Sequence, residues 1–297
     1  MPRRFIVIGF AASALLPTQA VFACATCLCG DPTITTMGTE KPFAGRMRAS
    51  VDYLERSEKV GVPAVSAHEI DEQRFIYSFS YAPSKTWMIA ASLPLVTKQV
   101  RRFDLSRQQG SGVGDLDLSA RWFIGESGGF PVRNLWGLQF GVRLPTSSEQ
   151  RSNGVPIDFD AQPGAGATIP SVGAWYGHYR MPWFFYTSAV FQHAVNDGYQ
   201  AYRAGDVVLL TGHTQYALHQ RLALQFSLDG RWKQQDQYRG VTDADSGGVL
   251  IMASPGIAWT PVEDLVVNAS LQIPAIENLH GLQEEDTVVR VGVAYDF

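Results

Sequence analysis

Three cysteines fall within six residues, in Cys24-Ala25-Thr26-Cys27-Leu28-Cys29-Gly30-Asp31-Pro32. Thiolates this close together can hold a soft ion such as Cu(I) or Zn(II). An oxidising compartment favours a disulfide with one spare thiol instead. A third use is lipid attachment at Cys24. Covalent haem is disfavoured, because Leu28 stands where the C-x-x-C-H motif needs its histidine. No cofactor is required by the sequence; a metal at Cys24, Cys27 and Cys29 is the one candidate. The other groups with chemical reach are charges that recur at every second position within apolar segments. They are Arg46, Arg48, Asp52, Arg74, Asp115, Asp117, Arg121, Arg143, Asp229, Arg290 and Asp296. Asp115 and Asp117 lie two apart, hence on one wall, with Arg121 further along it. Such groups set the electric field of a water-filled pore, or simply pair with one another across it. Six arginines against five aspartates predict no strong charge selectivity; Arg231 and Lys233 would add positive charge if their strand keeps register. An enzyme of this kind would need a serine or aspartate beside a histidine. His178, His193, His213 and His219 have no convincingly placed serine, so the chain is read as a non-enzyme. The loop acids Asp158, Asp160 and Glu284-Glu285-Asp286 are read as solvated charge, with cation binding as the alternative.

The elements that carry these residues are strands. Val289, Val291, Val293, Tyr295 and Phe297 share one face of the last segment, and Arg290, Gly292, Ala294 and Asp296 share the other. A period of two gives a strand with one oily face. Such a strand of about ten residues with aromatic ends has the length that crosses a bilayer at a barrel tilt. Tyr295 and Phe297 resemble the terminal signal read by the assembly machinery of Gram-negative outer-membrane barrels. Twelve segments are strand candidates: 46–54, 74–82, 86–97, 113–124, 134–145, 169–179, 183–193, 206–218, 222–233, 249–259, 265–274 and 287–297. Eight alternate clearly, and none of their 36 outward positions carries a charge, where a composition with 18% charged residues would supply six or seven by chance. An arginine or lysine facing lipid at the midplane costs about 2–4 kcal/mol, which is why such charges turn inward. The segments 169–179, 183–193, 206–218 and 249–259 are weaker, and Pro255 is awkward for a ladder; ten or fourteen strands are the alternatives. The intervening loops alternate long (55–73, 98–112, 146–168, 194–205, 234–248) and short, as expected of long outer loops and tight periplasmic turns.

The first 23 residues carry Arg3 and Arg4, then the apolar run Phe5 to Leu16, then Pro17 and the small-residue site Val21-Phe22-Ala23. This is the pattern of a secretory signal, with an apolar run too short to span a membrane. The formal charge is −4, and removing Arg3 and Arg4 makes it −6, which speaks against nucleic acid. Residues 24–45 are read as a periplasmic cysteine-containing segment that enters the lumen as a plug or lies below it, and residues 46–297 as the barrel.

Gly112-Val113-Gly114-Asp115-Leu116-Asp117-Leu118-Ser119-Ala120-Arg121-Trp122 resembles the signature strand of the outer-membrane barrel family named for the meta-pathway of phenol degradation. Leu93-Pro94 and Leu144-Pro145 at strand ends fit it as well. The resemblance spans roughly 46–297. It implies uptake of aromatic compounds and offers no catalytic residues. The expectation is therefore an all-β, transmembrane antiparallel β-barrel of about twelve strands in the outer membrane, both termini periplasmic. It would pass small solutes, with lipid, lipopolysaccharide and the barrel-assembly machinery as partners. The competing expectation is a non-conducting barrel that anchors a periplasmic metal- or redox-linked partner through Cys24–Cys29.

Overall fold

The computed structural model describes residue 31 and residues 33–38, 40–62, 65–129 and 132–297. Cys24, Cys27, Cys29 and the signal-like segment lie outside the described residues. Twelve long strands follow one another: β1 Met47–Val60, β2 His68–Ser84, β3 Trp87–Arg102, β4 in two pieces (Arg107–Val113 and Leu116–Ser127), β5 Asn134–Leu144 and β6 Ile169–Arg180. The second half comprises β7 Trp183–Gln192, β8 Val207–His219, β9 Leu222–Lys233, β10 Gly248–Trp259, β11 Leu265–Leu279 and β12 in two pieces (Gln283–Glu285 and Val288–Asp296). Each pairs antiparallel with its sequence neighbour, and β1 pairs with both β2 and β12. Register pairs such as Val51 with Val293 on one side and Tyr77 on the other close the cylinder. Closure removes the sheet edges, so backbone donors and acceptors find partners without water, which is what a lipid surround requires.

All twelve expected strands are present, the four weak ones included. Pro255, which has no N–H, faces outward: the ladder between β10 and β11 runs to Ala253 with Ile273 and resumes at Gly256 with Ser270. The outer surface is a continuous apolar band, with Val51, Phe79, Leu95, Phe226 and Val291 all exposed. Around the short-turn end stand exposed aromatic rings, among them stacked Trp87 and Trp122, 5.6 Å apart, and stacked Trp183 and Phe185, 5.8 Å apart. Rings with an apolar body and a polar edge favour a membrane–water interface. Tyr295 and Phe297 pack edge to face at 4.9 Å on this outer surface. Phe297 N–H also donates to Met47 O at 2.8 Å, so the first strand begins where the last one ends.

The structure corrects the loop boundaries. Residues 55–60, 68–73, 98–102 and 107–112 are strand, not loop, so β1 to β4 project beyond the apolar band. Their outward faces carry Glu55, Lys59, Glu69, Asp71 and Arg101, because water lies outside them. Their inward faces carry Arg56, Glu58, Glu72 and Lys98. With a polar outward face, and an inward face that mixes these charges with Val60, Ile70 and Val100, no outward apolar alternation marks these extensions.

The lumen is filled rather than open. At the short-turn end the chain before β1 enters it as a five-residue helix α1, Thr33–Met37. Met37 is buried against Ala82, Met88, Phe123, Trp175 and Tyr186, inward residues of the wall. Fully burying one such side chain is worth roughly 1.5–3 kcal/mol. At the long-loop end residues 157–168, the second half of the longest loop, fold inward. Phe159 stacks on Tyr202 at 3.9 Å within an apolar cluster that includes Ile169, Val190, Val207 and Leu209. These contacts explain the weak alternation of β6, β7 and β8: their inward faces are apolar where they pack on the plug and on the loop.

Candidate functional site: a lumen held between a plug and an inward loop

The short-turn half of the lumen is built around helix α1 and the wall groups that receive it. A helix end leaves carbonyl oxygens without intrahelical donors. Here the wall supplies them: Arg48 Nη1 donates to Thr35 O at 3.4 Å, Ser80 Oγ to Thr36 O at 2.9 Å, and Arg121 Nη1 to Gly38 O at 2.8 Å. Arg290 Nη2 donates to Thr35 Oγ1 at 3.2 Å, and Arg46 Nη2 reaches Glu40 Oε2 at 3.3 Å. Arg121 is fully buried and lies over the Trp175 and Tyr186 rings, at 5.1 and 5.5 Å from their centroids. Its second Nη contacts Thr33 Oγ1 and Tyr186 OH. Before the helix, buried Asp31 accepts from Tyr186 OH at 2.6 Å, from the Thr33 amide at 2.9 Å and from Gln139 Nε2 at 3.3 Å. Asp31, Tyr186, Gln139 and Arg121 therefore form one buried polar unit that fixes the plug.

The remaining inward charges pair with one another. Arg46 and Arg48 share Asp296, at 3.0 and 2.6 Å. Arg290 meets Asp52 at 3.2 Å, Arg143 meets Asp117 at 3.0 Å across β4 and β5, and Arg74 Nε donates to Glu72 Oε1 at 2.7 Å. Asp229 accepts from Thr211 Oγ1 at 3.0 Å. Asp115 instead holds the inward loop. It accepts the Ala165 and Gly166 amides at 2.8 and 3.1 Å, the Ser147 amide at 3.2 Å and the Ser147 hydroxyl at 2.6 Å. Gly166 sits at φ +68°, a left-handed conformation that aims its N–H at the carboxylate. At Gly110 a Cβ would come within 2.0 Å of Ala161 O, so only glycine lets the loop lie against β4.

Residue-by-residue reading missed the cluster at the long-loop end. Arg56 is buried beside Glu58 (2.6 Å), Glu285 (3.4 Å) and Glu72 (3.6 Å), and Arg231 stands 3.8 Å from Glu285. Lys233 pairs with Asp236 at 2.6 Å. His68 Nε2 lies 3.4 Å from Asp160 Oδ2, and Arg102 contacts Asp158. Asp160 and Glu285 are thus buried partners, not solvated loop charge, whereas Glu284 and Asp286 are exposed. Above the apolar band, burial pushes the Asp160 carboxyl up to about 6, more than His68 pulls it down. Burial opposes charge on His68, but the Asp160 carboxylate outweighs it and leaves the imidazole raised. The available signal was the i, i+2 spacing of Arg56 with Glu58 and of Glu72 with Arg74, which continues the inward register past the apolar band.

Two cavities lie in the lumen among the described residues. One, of about 130 Å³, lies at mid-height between the plug and the β1–β8 wall; the second, of about 290 Å³, runs beside α1 along β8 to β11 as far as His219 and Arg221 at the short-turn rim. They meet at Asp31, Gln272 and Arg290, which line both. The plug therefore narrows the lumen and leaves two cavities that adjoin across these three side chains.

The sequence profile of the family described as "Putative MetA-pathway of phenol degradation" matches residues 59–275. No curated protein matches the sequence. Among solved structures the fold is similar to an outer-membrane channel from Pseudomonas putida F1, with a TM-score of 0.69 at 14% identity, covering 90% of this chain and all of that one (100%). It is also similar to the translocator domain of the autotransporter NalP from Neisseria meningitidis, with a TM-score of 0.51 at 10% identity, over 89% of this chain and 93% of that one. The NanC porin gives a TM-score of 0.51 at 9% identity, over 83% and 98%. At these identities the likeness is one of fold, a twelve-stranded barrel of the outer-membrane type. The family match spans well over half the sequence, and the chain belongs to the phenol-degradation MetA-pathway family.

Proposed function

We propose that the protein is an outer-membrane channel that passes small solutes, aromatic compounds among them, along the two adjoining cavities. The observation that carries this reading is that the two cavities adjoin at Asp31, Gln272 and Arg290, the second of them reaching the short-turn rim, so that movement of these side chains or of the plug would join them. The family match and the fold shared with a Pseudomonas putida outer-membrane channel support it. In this reading residues 1–23 direct export and are removed, the short turns and both termini face the periplasm, and the long loops face outward toward lipopolysaccharide. The terminal strand with Tyr295 and Phe297 serves assembly. The protein performs no covalent chemistry. The inward arginines Arg46, Arg48, Arg121 and Arg290 act as clamps on the plug rather than as a charge filter.

The test is single-channel conductance in a planar bilayer, with the mature chain and with residues 24–45 removed. Small, steady conductance that rises on truncation is expected, because the plug occupies part of the cross-section. Silence from both proteins, each shown to be folded, sinks the channel reading. It would favour a barrel that anchors a periplasmic partner through Cys24, Cys27 and Cys29.

A further inference from the structure

The larger cavity, beside α1, carries one charge that the protein does not answer. Most of the charges in its lining have a partner: Arg48 meets Asp296 at 2.6 Å, Arg290 meets Asp52 at 3.2 Å, and Glu40 meets Arg46 at 3.3 Å. Asp31 is joined to Arg121 through the Tyr186 hydroxyl. Arg221 is exposed at the rim. Asp229 on β9 is the exception. It is 4% exposed, yet its carboxylate has hydroxyl partners alone: Thr211 Oγ1 on β8 donates to Oδ1 at 3.0 Å, and Ser254 Oγ on β10 reaches Oδ2 at 3.4 Å. It makes no ion pair with a basic group among the described residues. His213 in the same lining has its Nδ1 against Ser227 Oγ at 2.8 Å and forms no ion pair either. An ionised carboxylate withdrawn from bulk water is costly unless an opposite charge meets it. Oδ2, with its single long contact, is the side open to one. No group of carboxylates, histidines or thiols that could hold a metal ion occurs among the described residues, and a hard divalent ion such as calcium takes about six or more oxygen ligands. An ammonium group asks for less: it donates its N–H groups to one carboxylate and to neutral oxygens. Gln215, Gln225, Asn268 and Ser270 supply such oxygens in the same lining. The cavity's volume of about 290 Å³ is about twice the ~150 Å³ that holds one benzene ring, so a small amine enters with room for water.

We propose that this cavity is a binding site for a small organic ammonium ion, with the Asp229 carboxylate as its counter-charge and the neighbouring amides and hydroxyls as acceptors for its remaining N–H groups. The site stands on its own geometry and does not depend on the channel reading. It selects charge: a neutral alcohol of equal size brings no counter-charge to Asp229, and a carboxylate is repelled by it. A potassium ion has the charge but no directed N–H groups, so it competes poorly.

The experiment is ¹⁹F NMR of 2-fluoroethylammonium chloride with the mature protein in phosphatidylcholine nanodiscs, with empty nanodiscs as the reference. Saturable broadening is expected, displaced by ethylammonium but not by an equal concentration of potassium chloride. The neutral and anionic counterparts, 2-fluoroethanol and fluoroacetate, are expected to stay sharp. Asp229→Asn keeps the shape and removes the charge; it is expected to weaken binding about tenfold or more. Ser254→Lys sets an ammonium of the chain's own beside Oδ2 and is expected to abolish binding. Glu263→Gln removes an exposed acid from the short turn at the same rim and is expected to change nothing. Each variant is first shown to be folded by its heat-modifiable migration on a gel. No broadening at all, as when a proton rather than a cation neutralises Asp229, would overturn the proposal. So would broadening of 2-fluoroethanol equal to that of the ammonium, displacement by potassium as strong as by ethylammonium, wild-type binding by Asp229→Asn or Ser254→Lys, or loss of binding in Glu263→Gln. Conductance in a bilayer is read separately: binding without conductance removes the channel reading and keeps the site, and conductance without binding does the reverse.

Discussion

Arg121 shows how one inward charge can be structural. It is fully buried, its guanidinium reaches the plug at Gly38 O and Thr33, and it lies on two aromatic faces. Removing one member of a buried ionic unit leaves the other charge uncompensated, at a cost of about 3–5 kcal/mol. Arg121→Met is therefore expected to free the plug: limited proteolysis should cut near residues 31–45 faster than in wild type, and conductance should rise. Unchanged cleavage with intact Asp31 would show that the clamp lies elsewhere. Asp115 has the same standing at the other end. Asp115→Ala strands the amides of Ser147, Ala165 and Gly166, each worth about 1–3 kcal/mol when left unsatisfied. The expected outcome is faster proteolysis within 145–168 with no change at the plug. Asp115 and Arg121 were both legible in sequence as inward-facing, because each sits in an alternating segment. Their partners were not, since Gly38 and Ala165 contribute backbone atoms that no side-chain pattern marks.

Among the elements, the strands set the outer surface and the inward loop sets the constriction. A charge on the lipid side of β11 tests the first statement. Leu271→Arg is expected to lose about 2–4 kcal/mol of folding stability in lipid vesicles, measured by urea titration, whereas Gln272→Met next to it should cost far less. The second statement carries a pH dependence. Asp160 and His68 both titrate higher in the folded loop than when released. The folded loop thus binds more protons, so its stability falls as pH rises. For Asp160 the loss runs from its ordinary range near 4 up to about 6, and for His68 it continues from 6.5 through its raised value. The loop is expected to be held most firmly near pH 4–5 and to open progressively toward pH 8, read as protease cleavage within 145–168. Asp160→Asn, which stays neutral throughout, should flatten the whole profile, because the Asp160 carboxylate is also what raises His68. A loop equally resistant at pH 5 and pH 8 would rule out this latch. The extensions of β1 to β4 that carry His68, Glu72 and Lys98 were illegible as strands, because their outward face meets water and their inward face interleaves ion pairs with Val60, Ile70 and Val100.

For the whole molecule, the sequence by itself determined the class and the outward face; of the strand counts it left open, ten, twelve or fourteen, the structure has twelve. Eight segments with an uncharged face, spaced by turns, admit few other solutions, because lipid excludes charge from one side of every strand and closure is the only way to pair every backbone group. It also determined the family, through the stretch from Gly112 to Trp122. Only the tertiary structure decided what the inward face does. Alternation places Arg46, Arg48, Arg121 and Arg290 inside but cannot say whether they meet water, an acid or a piece of the same chain. Arg46 and Asp296 are 250 residues apart and touch because the cylinder closes. Tyr186 and Asp31 are 155 apart and touch because the plug rises into it. Contacts of that separation depend on how far a segment enters the lumen, which is a balance of burial and hydrogen bonding over the whole barrel rather than a property of any local pattern. That balance divides a lumen read from sequence as polar, with or without a plug, into two small cavities that adjoin at Asp31, Gln272 and Arg290.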